Sequence, residues 1–221
     1  MFIKICGVTN VDDALLAAGL GADAVGLVFA SSTRQISEGV ARDIVRALPP
    51  GVLSIGVFRN ERRARVVELA NKVGLRAVQL HGVESPEDTK WVASRVPSVI
   101  RAFSSTNPAV QNFSVYSPAR LLVDSSSPGS GKTFNWEALS MLRITEPYIL
   151  AGGLDPTNVA TAVEQLNPWG VDVSSGVEER PGKKDAVKVR KFINEARSIP
   201  EKPNTVADRR KPFNWEEDAT W

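Results

Sequence analysis

The sequence predicts an α/β protein built as one closed (β/α)8 barrel, and three observations carry that expectation. Apolar, β-branched runs recur about every 20–30 residues, separated by segments of helical period. Eight such runs are present, at Phe2–Cys6, Ala24–Phe29, Leu53–Phe58, Ala77–Leu80, Val99–Phe103, Leu121–Asp124, Tyr148–Ala151 and Gly170–Ser174. They are apolar almost without interruption, as strands of a parallel sheet covered by helices must be. A chain of 221 residues holds such a barrel as a single domain. An open doubly wound sheet is the alternative, and eight units of regular spacing favour closure.

Taken in order, the connecting segments carry helix punctuation. Thr9 and Asn10, followed by Asp12 and Asp13, can cap a first helix whose apolar face includes Ala14, Leu15 and Ala18. Gly21, Gly51, Gly74 and Gly170 stand just before strands, where helix-to-strand turns often need positive φ. Ser85-Pro86 and Asp155-Pro156 each put a cap residue before a proline at the first helical position. After the fifth run, Asn107-Pro108 and Ser117-Pro118 leave room for only a short helix. Asn135 before Trp136-Glu137-Ala138-Leu139 reads as another helix start. The expected domain division is a catalytic barrel over 1–197 and an irregular or linker-like tail over 198–221. That tail holds Arg209-Arg210-Lys211 and the aromatic residues Phe213, Trp215 and Trp221, which are either loose or docked on an apolar surface.

Composition excludes several classes. Hydrophobic residues make up 43% and charged residues 24%, ordinary values for a globular protein. The formal net charge is +2, with Lys and Arg interspersed among Asp and Glu, so nucleic acid is not an expected partner. No apolar stretch approaches the roughly 20 residues that span a bilayer, and no membrane association is expected. Met1-Phe2-Ile3-Lys4-Ile5-Cys6 enters a strand without a secretory signal, and one cysteine allows no internal disulfide. The expected compartment is the cytoplasm.

Barrel enzymes place their chemistry where strands end. Those ends carry Lys4 and Cys6, Arg34 in the second loop, Gln79 and His81, Arg101, Asp124, Gly152-Gly153, and Asp172 followed by Ser174-Ser175-Gly176. Cys6 is either a small buried hydrophobe or a nucleophile or general base beside the Lys4 cation. Asp124, behind Leu121-Leu122-Val123, is either a cap or ion-pair partner or a proton donor. An acid and a base on separate strands of one mouth suit an isomerisation. Arg34 is a surface arginine or a bidentate anion grip, and His81 a neutral hydrogen-bonding residue or a catalyst.

Three loops compete for a phosphate: Gly129-Ser130-Gly131, Gly152-Gly153 and Ser174-Ser175-Gly176. Together, after the last strands of a barrel, they match a recurrent anion-binding corner built from backbone amides. Gly131-Lys132-Thr133 invites a nucleotide P-loop reading, but the first glycine of that signature falls on Ser126.

With these residues in place, the chain resembles the phosphoribosylanthranilate isomerase family of tryptophan biosynthesis. The resemblance rests on Lys4-Ile5-Cys6-Gly7, Gly26-Leu27-Val28-Phe29 with Ser32-Thr33-Arg34, Val57-Phe58, and Gln79-Leu80-His81-Gly82. It continues through Asp124, Gly129-Ser130-Gly131-Lys132-Thr133-Phe134-Asn135-Trp136, Leu150-Ala151-Gly152-Gly153-Leu154, Asp172-Val173-Ser174-Ser175-Gly176-Val177-Glu178 and Pro181-Gly182-Lys183-Lys184-Asp185. It covers about residues 2–197 and implies a TIM barrel catalysing an Amadori rearrangement of N-(5-phosphoribosyl)anthranilate, without cofactor or metal. It further implies that Asp124 protonates the ribose ring oxygen, that Cys6 takes the C2′ proton, and that Arg34 binds the anthranilate carboxylate. The three glycine loops would hold the phosphate, with Lys4, Gln79, His81 and Asp172 lining the substrate. The expected partner is that small molecule, bound by a monomer or homodimer, with association with other tryptophan-pathway enzymes a further possibility of the resemblance. Thr33, Ser130 and Asn135 stand where Pro, Thr and Asp are frequent in the family, and none of these departures removes a reacting group.

Overall fold

The computed structural model describes residues 1–117, 119–124, 139, 144 and 146–200. Eight parallel strands close into a barrel in sequential order: β1 (Phe2–Cys6), β2 (Ala24–Val28), β3 (Leu53–Phe58), β4 (Ala77–Leu80), β5 (Val99–Ser104), β6 (Arg120–Asp124), β7 (Tyr148–Leu150) and β8 (Gly170–Val173). Closure is made by β1 pairing with β8, with Lys4 opposite Asp172. The described helices are α1 (Val11–Gly19), α2 (Glu38–Ala47), α3 (Arg63–Val73), α4 (Pro86–Ala93), α5 (Val159–Leu166) and α6 (Ala186–Ser198). A short antiparallel hairpin, β9 (Glu178–Arg180) with β10 (Lys183–Lys184), stands between β8 and α6. None of the described helices is long and apolar enough to cross a membrane.

The caps behave as their chemistry requires, with exceptions. Asn10 accepts from the Asp13 amide at 2.8 Å to start α1, and Ser85 accepts from the Asp88 amide at 3.0 Å ahead of Pro86 in α4. Asp155-Pro156 does not start a helix: Asp155 instead binds the Thr157 amide at 2.6 Å in a turn, and α5 begins at Val159. Gly21 and Gly74 have φ of +97° and +81°, as expected of turns into strands. Gly51 and Gly170 lie outside that region of φ. Gly170 is needed for another reason, because a Cβ there would stand 2.9 Å from both the carbonyl oxygen and the ring of Phe2. Leu15, placed on the buried face of α1 by its period, is 44% exposed, and Ala17 takes the core position with Ala14. The weak segment between β5 and β6 forms two 3-10 turns, Pro108–Val110 and Phe113–Tyr116.

The pleat sorts side chains into two cores. Phe2, Ala24, Leu53, Ile55, Ala77, Ile100, Leu122 and Ile149 pack together as one cluster, with Trp169 stacked on Phe2 at 4.7 Å. Their strand neighbours Ile3, Ile5, Val25, Leu27, Val78, Leu121, Val123, Val171 and Val173 belong to the second cluster, which includes the helix residues Ala14, Ile44, Val66, Val163 and Phe192. The first cluster fills the barrel and the second lies between sheet and helices. Alternation then turns Lys4, Cys6, Gly26, Gln79, Asp124 and Asp172 toward the barrel axis, above the apolar layer. The barrel interior is therefore oily toward its amino end and polar at its mouth.

Candidate active site

Lys4 is fully buried and its Nζ donates to Asp172 Oδ2 at 2.9 Å, across the β1–β8 seam. Burial alone would lower the Lys4 ammonium, but the Asp172 carboxylate and neighbouring Cys6 outweigh it and hold its pKa above the ordinary value. Cys6, one turn of the pleat above Lys4, is partly accessible. Burial pushes its thiol up, Lys4 and Lys184 pull it down, and Asp172 adds to the rise, leaving a net increase. The site thus favours the protonated thiol at neutral pH, and its conjugate thiolate is a correspondingly strong base.

Cys6 has room because its neighbour on β2 has no side chain. A Cβ at Gly26 would lie 2.6 Å from Cys6 Sγ, 3.0 Å from its Cα and 3.1 Å from Lys4 Nζ. Gly26→Ala is expected to displace the thiol, lower kcat/KM at least about tenfold and destabilise the barrel by about 1–3 kcal/mol through overpacking. Steady-state kinetics and thermal unfolding check this, and wild-type values in both would show that the close approach is unimportant.

Asp124 ends β6 with 7% exposure, three strands around the ring from Cys6. His81 Nε2 lies 3.3 Å from Asp124 Oδ2, while His81 Nδ1 is 3.0 Å from Gln79 Nε2. With the Gln79 amide donating to Nδ1, Nε2 is the ring nitrogen left to donate to Asp124. Gln79 and His81 are thus joined to Asp124 in one row. Among the described residues, Gln79 Oε1 and Asp172 Oδ1 are buried acceptors without a hydrogen-bond partner.

Arg101 corrects the set of mouth residues. Its neighbours Ile100 and Ala102 face the barrel interior, so Arg101 points outward, where it packs over Phe103 at 4.4 Å. Its guanidinium donates to the carbonyls of Leu80, Ala102, Gly82 and Glu84 at 2.8–3.1 Å and pairs with Glu84 at 3.3 Å. Arg101 is a strut for the loop that carries His81.

Arg34 is brought to the mouth by a loop that folds back onto its own strand, with Ile36 donating to Val28 at 2.9 Å. Its side chain crosses Gly7, which has φ of +72° and where a Cβ would lie 2.4 Å from Arg34 Cδ. The guanidinium meets Glu178 in a bidentate fork, Nε to Oε1 at 2.7 Å and Nη2 to Oε2 at 2.6 Å. Glu178 Oε1 also accepts from Lys184 Nζ at 2.9 Å. Burial would raise the Glu178 carboxyl, but the Arg34 and Lys184 cations prevail and keep it below the ordinary range. Neither Glu178 nor Lys184 stood among the sequence candidates. The available signal was Pro181-Gly182, a type II turn pair that closes the β9–β10 hairpin with Gly182 at φ +81° and brings both residues beside Arg34.

Two of the three glycine loops are packed together. Gly152 and Gly153 have φ of +94° and +65°, and Asn158 Nδ2 holds the Gly153 carbonyl at 2.9 Å. A Cβ at Gly176 would stand 2.0 Å from the Leu154 carbonyl oxygen, so the loops after β7 and β8 meet only because residue 176 is glycine. Ser174 and Ser175 flank that contact, with the Ser174 carbonyl accepting from Lys184 at 3.2 Å. Gly129, Ser130 and Gly131, with Asn135 and Trp136, lie outside the described residues, as does the part of the tail beyond residue 200.

Comparison with known proteins adds an independent line. The family profile described as N-(5′-phosphoribosyl)anthranilate isomerase matches residues 3–195. The N-(5′-phosphoribosyl)anthranilate isomerase of Pelobacter propionicus is 44% identical over 200 residues, covering 88% of this chain and 95% of the relative. The crystal structure of phosphoribosyl anthranilate isomerase from Thermotoga maritima superposes with a TM-score of 0.83 at 42% identity, over 90% of this chain and 100% of that one. A phosphoribosyl anthranilate isomerase solved in complex with reduced 1-(o-carboxyphenylamino)-1-deoxyribulose 5-phosphate gives a TM-score of 0.80 at 40% identity, with the same coverage.

Proposed function

The chain belongs to the N-(5′-phosphoribosyl)anthranilate isomerase family of tryptophan biosynthesis, and on that basis we propose that its barrel performs an Amadori rearrangement with Asp124 as general acid and Cys6 as general base. The observation that carries the reading is the placement of a thiol and a carboxylic acid on separate strands of one polar mouth, with an arginine fork at one side and paired glycine loops at another.

Asp124 protonates the ribose ring oxygen, the C1′–O bond breaks, and the anthranilate nitrogen lone pair closes onto C1′ as a protonated Schiff base. That cation acidifies the C2′ hydrogen, and the Cys6 thiolate removes it to give an enolamine, which tautomerises to the ketose. No electron leaves the substrate, so the rearrangement is an internal redox change. Lys4 steadies the thiolate, while Gln79 Oε1 and Asp172 Oδ1 offer hydrogen bonds to sugar hydroxyls and His81 lines the substrate beside Asp124. The amides of Gly152, Gly153, Ser174, Ser175 and Gly176, with Gly129, Ser130 and Gly131, are assigned to the phosphate. Arg34 takes the anthranilate carboxylate through its free edge.

The family match ends at residue 195 and α6 at Ser198, which supports assigning catalysis to residues 1–197 and placing the tail outside it. The substrate is the small-molecule phosphoribosylanthranilate, and the site of action is the cytoplasm. The direct test follows the fluorescence of the anthranilate ring while purified protein acts on phosphoribosylanthranilate. Consumption of substrate with formation of the carboxyphenylamino-deoxyribulose phosphate is expected, and a protein inert toward it at high concentration would overturn the assignment.

A further inference from the structure

We propose that Glu178 is a positioning residue that fixes which edge of the Arg34 guanidinium faces the ligand, and so sets selectivity for a substrate with a carboxylate on its aromatic ring. The inference rests on reading Arg34 as the group that grips that carboxylate.

A guanidinium has two edges able to hold a carboxylate by two parallel bonds. Glu178 occupies the edge made by Nε and Nη2. Nη1 makes no hydrogen bond to Glu178, and the Arg34 side chain is 18% exposed, so the edge formed by Nη1 and the remaining Nη2 hydrogen is left for a second carboxylate. Glu178 itself cannot follow a moving arginine. Its side chain is 4% exposed, Oε1 is held by Lys184 Nζ at 2.9 Å and the Gly182 amide at 3.3 Å, and its carbonyl accepts from Lys188 Nζ at 2.8 Å.

Charge points the same way. Arg34 and Lys184 contribute two positive charges against one on Glu178, so the cluster carries an unbalanced cation until an anion arrives. Lys184 is fully buried at its side chain, which leaves Arg34 as the member able to meet that anion. Without Glu178, the long Arg34 side chain would sample several rotamers, and the ordering would have to come from the ligand.

The test compares binding of two ligands to the full-length protein: the reduced carboxyphenylamino-deoxyribulose phosphate, and the same compound without the ring carboxylate. Wild type is expected to prefer the carboxylated ligand by about a hundredfold, and Arg34→Met to abolish that preference. Glu178→Gln is expected to cut the preference about tenfold while changing affinity for the other ligand less than about threefold. The double variant Glu178→Gln with Lys184→Met, which removes the excess buried charge, serves if the single variant does not fold, with the same expected loss. An unchanged preference in a folded Glu178 variant, or an equal loss for both ligands, overturns the positioning role while Arg34→Met still abolishes the preference. If Arg34→Met retains it, the reading of Arg34 fails and this inference fails with it.

Discussion

Cys6→Ser is expected to lower kcat by at least about a hundredfold, the scale of a lost general base, with little change in unfolding temperature. The serine side chain fits the space that Gly26 leaves open, where a Cβ would come within 2.6 Å of the thiol sulfur, so packing is preserved. Its hydroxyl, however, does not ionise in the working range, and the C2′ proton has no acceptor. The wild-type pH profile tests the same assignment. The base must be deprotonated to act, and the Cys6 pKa is raised by burial beyond what Lys4 recovers. Turnover also carries the protonation of the acid, so the thiol is followed directly through its alkylation by iodoacetamide, whose rate grows with the thiolate fraction of Cys6, the one cysteine of the chain. The expected result is an alkylation rate still increasing above about pH 8.5, the ordinary thiol value, with that reaction missing in Cys6→Ser. Near-normal turnover in the variant, or a wild-type plateau well below that pH, would assign the base elsewhere.

Asp124→Asn is expected to cost at least about a hundredfold in kcat while leaving affinity for the reduced product analogue within about threefold. Asn keeps the shape of Asp124 and an oxygen that accepts from His81 Nε2, 3.3 Å away, but it has no transferable proton for the ring oxygen. The split between turnover and binding separates a lost proton donor from a distorted pocket. A variant that turns over within tenfold of wild type would remove Asp124 from the chemistry, and one that loses affinity equally would make it a binding group.

The contrast between Arg101 and Lys4 shows how much of this site could be read along the chain. Each is a cation within an apolar strand, and local sequence does not distinguish them. The distinction is the pleat: Lys4 shares its side with Phe2 in the barrel interior, whereas Arg101 shares its side with Phe103 against the helices. Which of two alternating sides faces the axis is decided by the closed sheet, because both sides of a buried parallel strand are apolar. Glu178 was hidden for a different reason. It is 144 residues from Arg34, and only ring closure and the β9–β10 hairpin bring the two together.

The sequence by itself determined eight strands at their places to within one residue and the strand ends at which polar groups cluster, Cys6 and Asp124 among them. These are local facts, set by period, punctuation and residue type. The tertiary structure alone decided that Lys4 is neutralised by Asp172 across the seam, that Gly26 makes room for Cys6, that Arg101 supports a loop, and that Arg34 answers to Glu178. Each of those depends on contacts between strands far apart in the chain, whose register and facing are fixed only when the barrel closes.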